Sequence, residues 1–324
     1  MSPRARPPLA RLFSSPPLHV GVELAARRVT VVTLARGAAP AVVGGHATEP
    51  LPEGALVPAL NAANIQDPAA VQAALGRCFE TLGIRPRRVG LVVPDPVAKV
   101  SLVRFEQVPA RAQDLAQLVR WQVRKAAPFR IEDAQVAFTP GLAPPGGGRE
   151  FVVTLARQDI VAEYERVCAS ADAHAGLVDL ASFNLINAAI AAGGGAAAGD
   201  WLLVHSTPEY STLAVVRDGQ LIFFRSRALE GDENLADLVH QTVMYHEDRL
   251  GGGGIARVVL AGVAAGGPAH ADSVRRTLES RLGAAVSAID PRGAATLRDR
   301  IGADQALLDV LASPLGLLLR ERAA

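Results

Sequence analysis

The chain has 324 residues, with 33 Lys+Arg against 32 Asp+Glu and a formal net charge of +1. That length allows about two or three domains, and the near-neutral charge gives no overall electrostatic footprint for nucleic acid or an anionic membrane. Its two cysteines, Cys78 and Cys168, exclude a disulfide framework and a cysteine zinc site and fit a reducing compartment.

Residues 1–16 carry Arg4, Arg6 and Arg11 around several prolines, with no apolar stretch of useful length. They read as a disordered leader, not a signal peptide. Next, His19-Val-Gly-Val-Glu-Leu and Val29-Thr-Val-Val-Thr-Leu flank a short Ala25-Ala-Arg-Arg link, and Ala41-Val-Val adds a third strand. Asp67-Pro68 opens a helix with Val71, Leu75, Cys78, Phe79 and Leu82 on one face, which makes Cys78 a core thiol. Val89–Val93 is a buried strand, and Asp95, between Pro94 and Pro96, reads as a turn carboxylate.

Residues 98–176 read as an α+β unit of their own. It holds strands at Val100–Phe105, Ile131–Thr139 and Phe151–Leu155, a helix at Arg111–Ala127 and a second helical stripe through Ile160, Tyr164, Val167 and Cys168 that Gly176 closes. The opening pattern then returns: Trp201–His205, Thr212–Val216 and Leu221–Phe224 form a second three-strand meander, with Asp218-Gly219 as a tight turn. Helices follow at Asn234–Leu250 and through Val274, Leu278 and Leu282, around a strand, Arg257–Ala261, that runs into Gly262, Gly266 and Gly267. Gln305–Arg320 is helical with a break expected near Pro314. Gly193–Gly195 and Gly251–Gly254 read as loops. No stretch offers the ~20 predominantly apolar residues a membrane span needs.

Two meanders, each followed by helices and a strand leading to glycines, resemble the two-lobed α/β architecture of the actin/Hsp70/sugar-kinase superfamily. Further segments resemble the PilM pilus assembly family, on the FtsA-like branch of that superfamily. They are Leu118-Val-Arg-Trp-Gln-Val-Arg-Lys-Ala-Ala-Pro-Phe129, Val152-Val-Thr-Leu-Ala-Arg, Leu177-Val-Asp-Leu-Ala-Ser-Phe, Gln241-Thr-Val-Met-Tyr-His-Glu-Asp and Leu315-Gly-Leu-Leu-Leu-Arg. The resemblance implies an FtsA-type 1C subdomain at 98–176, inserted in a first lobe of 17–97 and 177–199. A second lobe covers 200–310, and a C-terminal helix, 311–324, packs back on the first.

It also implies where nucleotide would sit. The first turn offers Glu23, Ala25, Ala26 and Arg28, with Arg27 or Arg28 as a substitute phosphate contact. The second offers Ser206, Thr207, Ser211 and Thr212, and the third Gly262, Gly266 and Gly267. ATP binding is doubtful on this reading, with Mg²⁺ expected only alongside it. Ala25 and Thr207 stand where glycine is expected, His205 stands for an aspartate, and Pro208 lacks a donor. No carboxylate pair is evident for Mg²⁺ or a water, so no catalytic or metal-binding residue is assigned and hydrolysis is expected to be weak or absent. Other constellations carry nothing: His246-Glu247 lacks the second zincin histidine, since position 250 is Leu.

As a PilM-like scaffold the chain would bind the cytoplasmic tail of a PilN-like inner-membrane protein, in a groove between the 1C unit and the first lobe. Trp121, Pro128 and Phe129 are the candidate contacts. Other pilus platform proteins and a homo-oligomer or ring complete the partners, nucleic acid is excluded, and the location is cytoplasmic, peripheral at the inner membrane through a partner. The alternatives are a GspL-like type II secretion component and a small-molecule kinase of the same superfamily.

Overall fold

The computed structural model describes residues 17–144, 146–193, 199–228, 234–297 and 303–323. The leader at 1–16 and two of the three loop glycines, Gly194 and Gly195, lie outside the described residues.

Strands β1 (Val20–Ala25), β2 (Arg28–Leu34) and β3 (Ala41–Pro50) form an antiparallel meander. Helix α1 (Pro68–Thr81) then crosses to β4 (Arg88–Val93), parallel to β1. Asp67 caps α1 by accepting from the Ala70 N–H at 3.0 Å, and Pro68 takes the first turn. An excursion follows: β5 (Ala98–Phe105), α2 (Ala112–Val123), β6 (Ala134–Pro140) and β7 (Arg149–Arg157) build a three-stranded sheet ordered β5-β7-β6. The chain returns through α3 (Gln158–Ser170), β8 (His174–Leu180) and α4 (Ala181–Ala191).

The second lobe repeats the plan with β9 (Trp201–Ser206), β10 (Tyr210–Arg217), β11 (Gln220–Ala228), α5 (Leu235–Arg249), β12 (Arg257–Ala261), α6 (Pro268–Leu282) and β13 (Val286–Ala288). Strand β14 (Ala295–Leu297) and helix α7 (Gln305–Ala323) close the chain. The two large sheets run β14-β3-β2-β1-β4-β8 and β11-β10-β9-β12-β13.

Both large sheets are covered on both faces, which is why their strands read as nearly continuous apolar runs. Val22, Leu24, Val29, Val31 and Leu91 meet α1 and α3; the alternate residues Val32, Leu34 and Val92 meet α7. In the second sheet Leu202, Val204 and Leu213 meet α5 and α6, while Trp201, Leu203 and Ala214 meet α4. Helices α4 and α7 therefore lie between the lobes and fix their relation. They pack so closely that a Cβ on Gly316 would stand 1.9 Å from the Asn184 carbonyl oxygen. Gly316→Ala is expected to push the two helices apart and lower unfolding stability by ~1–3 kcal/mol, the usual cost of overpacking, read from urea unfolding midpoints.

Four boundaries differ from the sequence expectation. The inserted unit closes at Arg157, because its own core is Phe105, Val119, Val123, Phe151, Val153 and Leu155. Helix α3 instead buries Ile160, Tyr164, Val167 and Cys168 in the first-lobe core beside α1. Gly176 is no helix cap but lies within β8; Asp172, at φ 56°, makes the turn after α3. The first sheet also recruits β14, pairing Ala295–Leu297 with Ala41–Val43, so the second lobe stops short of residue 310. Pro314 does not break α7, where burial of Leu311, Leu315 and Leu318 against the sheet outweighs the ~3 kcal/mol that an internal proline costs.

The expectation for Cys78 holds: its thiol is fully buried on α1. Burial, then Glu49, pushes it up to about 11, and burial, then Glu165, pushes Cys168 up to about 12. Neither thiol is expected to react with a disulfide reagent in the folded protein near pH ~8, and both should react in denaturant.

Candidate functional site

Two places merit a chemical reading: the cleft between the lobes, and a groove between the inserted sheet and the first lobe.

In the cleft the β1–β2 turn faces the β9–β10 turn, and the two are joined directly. Arg27 Nε donates to Glu209 Oε1 at 2.8 Å across the lobes, and its Nη2 donates to Glu53 at 3.0 Å. Glu23, the one carboxylate of the first turn, accepts from Arg28 at 3.2 Å. In the second turn the hydroxyls serve the turn itself. Ser206 and Ser211 pair at 2.9 Å, and Thr207 Oγ1 accepts from the Glu209 and Tyr210 N–H groups. At the third loop Asp309 of α7 takes the backbone donors, accepting from Gly262 at 2.8 Å and from Ala264 at 3.2 Å. Burial raises the Asp309 pKa, and those two N–H groups oppose the rise. Gly262 is required there: its φ is +86°, and a Cβ would lie 2.4 Å from the Ser206 carbonyl oxygen.

Beneath the turns is a buried polar hub. Asp95 is fully buried, not a solvated turn residue as its Pro-Asp-Pro setting suggested. Its Oδ1 accepts from the Ser182 N–H at 3.0 Å, and its Oδ2 accepts from the Ser182 hydroxyl and from Thr212 Oγ1, the latter at 2.7 Å. His205 Nδ1 stands 3.0 Å from Ser182 Oγ. The same Nδ1 stands 3.4 Å from Asp95 Oδ2, and since the serine proton goes to Asp95, an Nδ1–H on His205 faces the serine oxygen and the carboxylate together. Asp95 and Ser182 belong to the first lobe and His205 and Thr212 to the second, so the hub ties the lobes together. It is not a catalytic triad. The carboxylate binds the hydroxyl directly, on the same Oδ2 that faces His205 Nδ1, so the imidazole does not stand between acid and hydroxyl, and Ser182 is sealed from solvent.

The cavity between the turns has a volume of about 60 Å³. That holds a few waters, whereas small-molecule sites run to ~300–1,000 Å³. Glu23, Ala25, Ala26, Arg28, Thr207 and Gly262 line it, and Ser211 and Thr212 lie buried behind. Ser206, Gly266 and Gly267 do not line it. Between the turns the gap is bridged by Arg27 and Glu209, the Glu23 carboxylate is paired with Arg28, and the Gly262 and Ala264 amides are taken by Asp309; a separate cavity of about 390 Å³ opens beside the third loop, lined by Val263, Ala264, Asp272, Arg275 and Asp309. Among the described residues no group of three or more His, Cys, Asp or Glu side chains could hold a metal ion.

The groove is different in kind. It encloses about 560 Å³ between the outer face of the inserted sheet, the first lobe and the β10–β11 turn of the second. Its walls include Ala137 and Thr139 of β6, Val152 of β7, Leu177 of β8, Phe183 and Ile186 of α4, and Leu221 of β11. One end is polar: Arg320 pairs with Asp179 at 2.6 Å. Burial pushes the Asp179 pKa up, and Arg320 opposes the shift. Strands β6 and β8 each stand at the edge of a sheet, and both line the groove with consecutive residues, 137–140 and 177–179. Two strand edges thus open onto one apolar trough.

Trp121, Pro128 and Phe129 do not line this groove. Helix α2 covers the other face of the inserted sheet, where Phe129 packs with its core; Trp121 stands 67% exposed on that helix. Sequence reasoning missed Asp95 as a hub, Glu209 as a bridge and Asp309 as a loop ligand. Only Asp309 carried a signal, as a lone acid in an apolar helical run, which buried charge does not tolerate without partners.

Comparison with known proteins completes the picture. No curated protein matches the sequence. A solved PilM-PilN type IV pilus biogenesis complex aligns at a TM-score of 0.78 and 18% identity, covering 94% of this chain and 98% of that chain. A Bacteroides thetaiotaomicron protein with an actin-like ATPase fold aligns at 0.49 and 10% identity, covering 82% of this chain and 89% of that one. The cytoplasmic domain of Epsl, an inner membrane component of the type II secretion system of Vibrio cholerae, aligns at 0.48 and 9% identity, covering 94% of each chain. The first of these alignments shows that the chain has the fold seen in the PilM-PilN complex. The family model for the type IV pilus assembly protein PilM matches residues 21–251. With most of both lobes inside that match, the chain belongs to the PilM family of type IV pilus assembly proteins.

Proposed function

We propose that this protein is a cytoplasmic scaffold of the pilus assembly platform, and that its groove captures the extended cytoplasmic tail of a PilN-like inner-membrane protein. The observation that carries the reading is the pair of strand edges, β6 and β8, facing one apolar trough. An extended segment entering it gains main-chain hydrogen bonds from an edge and places alternate side chains among Val152, Phe183 and Ile186. No described helix is long and apolar enough to cross a membrane, so a tail of this kind would hold the scaffold peripherally at the inner membrane. Other platform proteins and further copies in a ring would dock around it.

On this reading the cleft is a clasp and not a nucleotide site. Arg27–Glu209 and the Asp95 hub do for the lobes what a bound phosphate would do elsewhere, without turnover. That closed cleft also disfavours a kinase, which needs room for two substrates. Hydrogen exchange tests the proposal: the tail peptide should protect the backbone amides of β6 or β8. Protection confined to other segments would place the tail elsewhere.

A further inference from the structure

A second groove, of about 660 Å³, lies at the foot of the first lobe, at the opposite end of β1 and β4 from the cleft. Its floor includes Leu18, Leu34 and Ile84, its rim carries Arg36, Arg85 and Arg87, and no Asp or Glu lines it. These three arginines are exposed and have no hydrogen-bonded or ion-paired acceptor among the described residues. Some exposed arginines elsewhere are paired, as Arg77 is with Glu49 and Arg281 with Asp237, and others such as Arg111, Arg120 and Arg166 are not, among the described residues; what sets Arg36, Arg85 and Arg87 apart is that they share one groove that no carboxylate lines. Polar donors behind the rim are unanswered too. His19 Nδ1 and Arg322 Nη1 are both buried without a partner. Burial first, then the charges of Arg36 and Arg322, holds the His19 pKa below its ordinary value, so the imidazole adds no charge but keeps an unpartnered ring nitrogen. The chain leading into the groove supplies no acceptor either, since residues 1–16 contain three arginines and no Asp or Glu.

Positive charge and donors thus converge on an apolar floor with nothing of opposite sign. We propose that this groove binds an extended acidic peptide segment of a partner protein, with apolar side chains on the floor and alternating carboxylates on the arginine rim. The period-two alternation of an extended chain puts the two kinds of side chain on opposite sides, as floor and rim require. A membrane surface would meet the rim alone and leave the recessed floor unused. The site is separate from the tail groove and stands whether or not that assignment does.

The test is fluorescence anisotropy of the full chain with a short labelled peptide of alternating Glu and Leu. The wild type should bind with an affinity that falls as salt rises. R36E/R85E/R87E should weaken binding at least ~tenfold, as reversal of three rim charges demands, whereas T154R, in the tail groove, should leave it unchanged. Should the triple reversal unfold the protein, R85Q/R87Q makes the same comparison with milder changes. No binding by the wild type, or equal binding by the arginine variants, overturns the proposal. Cosedimentation with phosphatidylglycerol vesicles through the same arginines, without peptide binding, overturns it in favour of a lipid surface.

Discussion

Thr154→Arg is expected to weaken binding of the PilN-like tail by at least ~100-fold, about 2.7 kcal/mol. Thr154 sits half-buried on the groove face of β7, between Val153 and Leu155, whose side chains point into the core of the inserted unit. An arginine there would place a guanidinium in an apolar trough, where tail binding must strip its water without providing an acceptor. The core-facing neighbours are untouched, so thermal stability should change little. Thr154→Val, nearly the same shape, should retain binding. Full affinity in folded Thr154→Arg would mean that the tail docks elsewhere.

Asp95→Ala should destabilise the protein by about 3–5 kcal/mol, the cost of removing one partner from a buried charged network. The Ser182 N–H and hydroxyl lose their acceptor together, and the Thr212 hydroxyl is left with Ser226 Oγ alone. None can turn to water, because Ser182 and Thr212 are fully buried. Because the donors come from both lobes, hydrogen exchange should accelerate first at β9, β10 and the start of α4. Urea unfolding gives the magnitude and exchange the location. By contrast, Arg27→Ala removes an exposed, solvent-screened bridge and should leave the urea midpoint nearly unchanged.

Much of the fold was legible because its signals are local. The two meanders announce themselves through β-branched runs and short turns, and α1 through its Asp-Pro start. Boundaries that depend on long-range choices were not legible. Helix α3 has the same amphipathic stripe whether it packs on the inserted sheet or on α1. Strand β14 is three residues long, too short for alternation to register. At the cleft, the turns lie where the sequence put them and their damage was visible in Ala25, Thr207 and Pro208. Their replacements were not, because a contact such as Asp95 to Thr212 spans 117 residues. A groove between the inserted unit and the first lobe was expected, but its lining escaped for a similar reason. Its walls come from β6, β7, β8, α4, α7 and the turn into β11, while the eye-catching Trp121 belongs to a helix on the other side of the sheet. Net charge misled in one respect as well: a total of +1 conceals the unpaired arginines at the foot of the first lobe.

The central claim is a scaffold that holds its partner's tail with the lobes already clasped and no nucleotide needed. Calorimetric titration with the cytoplasmic tail peptide of a PilN-like protein from the same organism, with and without Mg-ATP, tests this most directly. The account predicts tight binding with the same affinity in both conditions. Tight binding only with Mg-ATP would show that the cleft opens to nucleotide and drives the groove, and no binding in either condition would remove the tail from this protein's function.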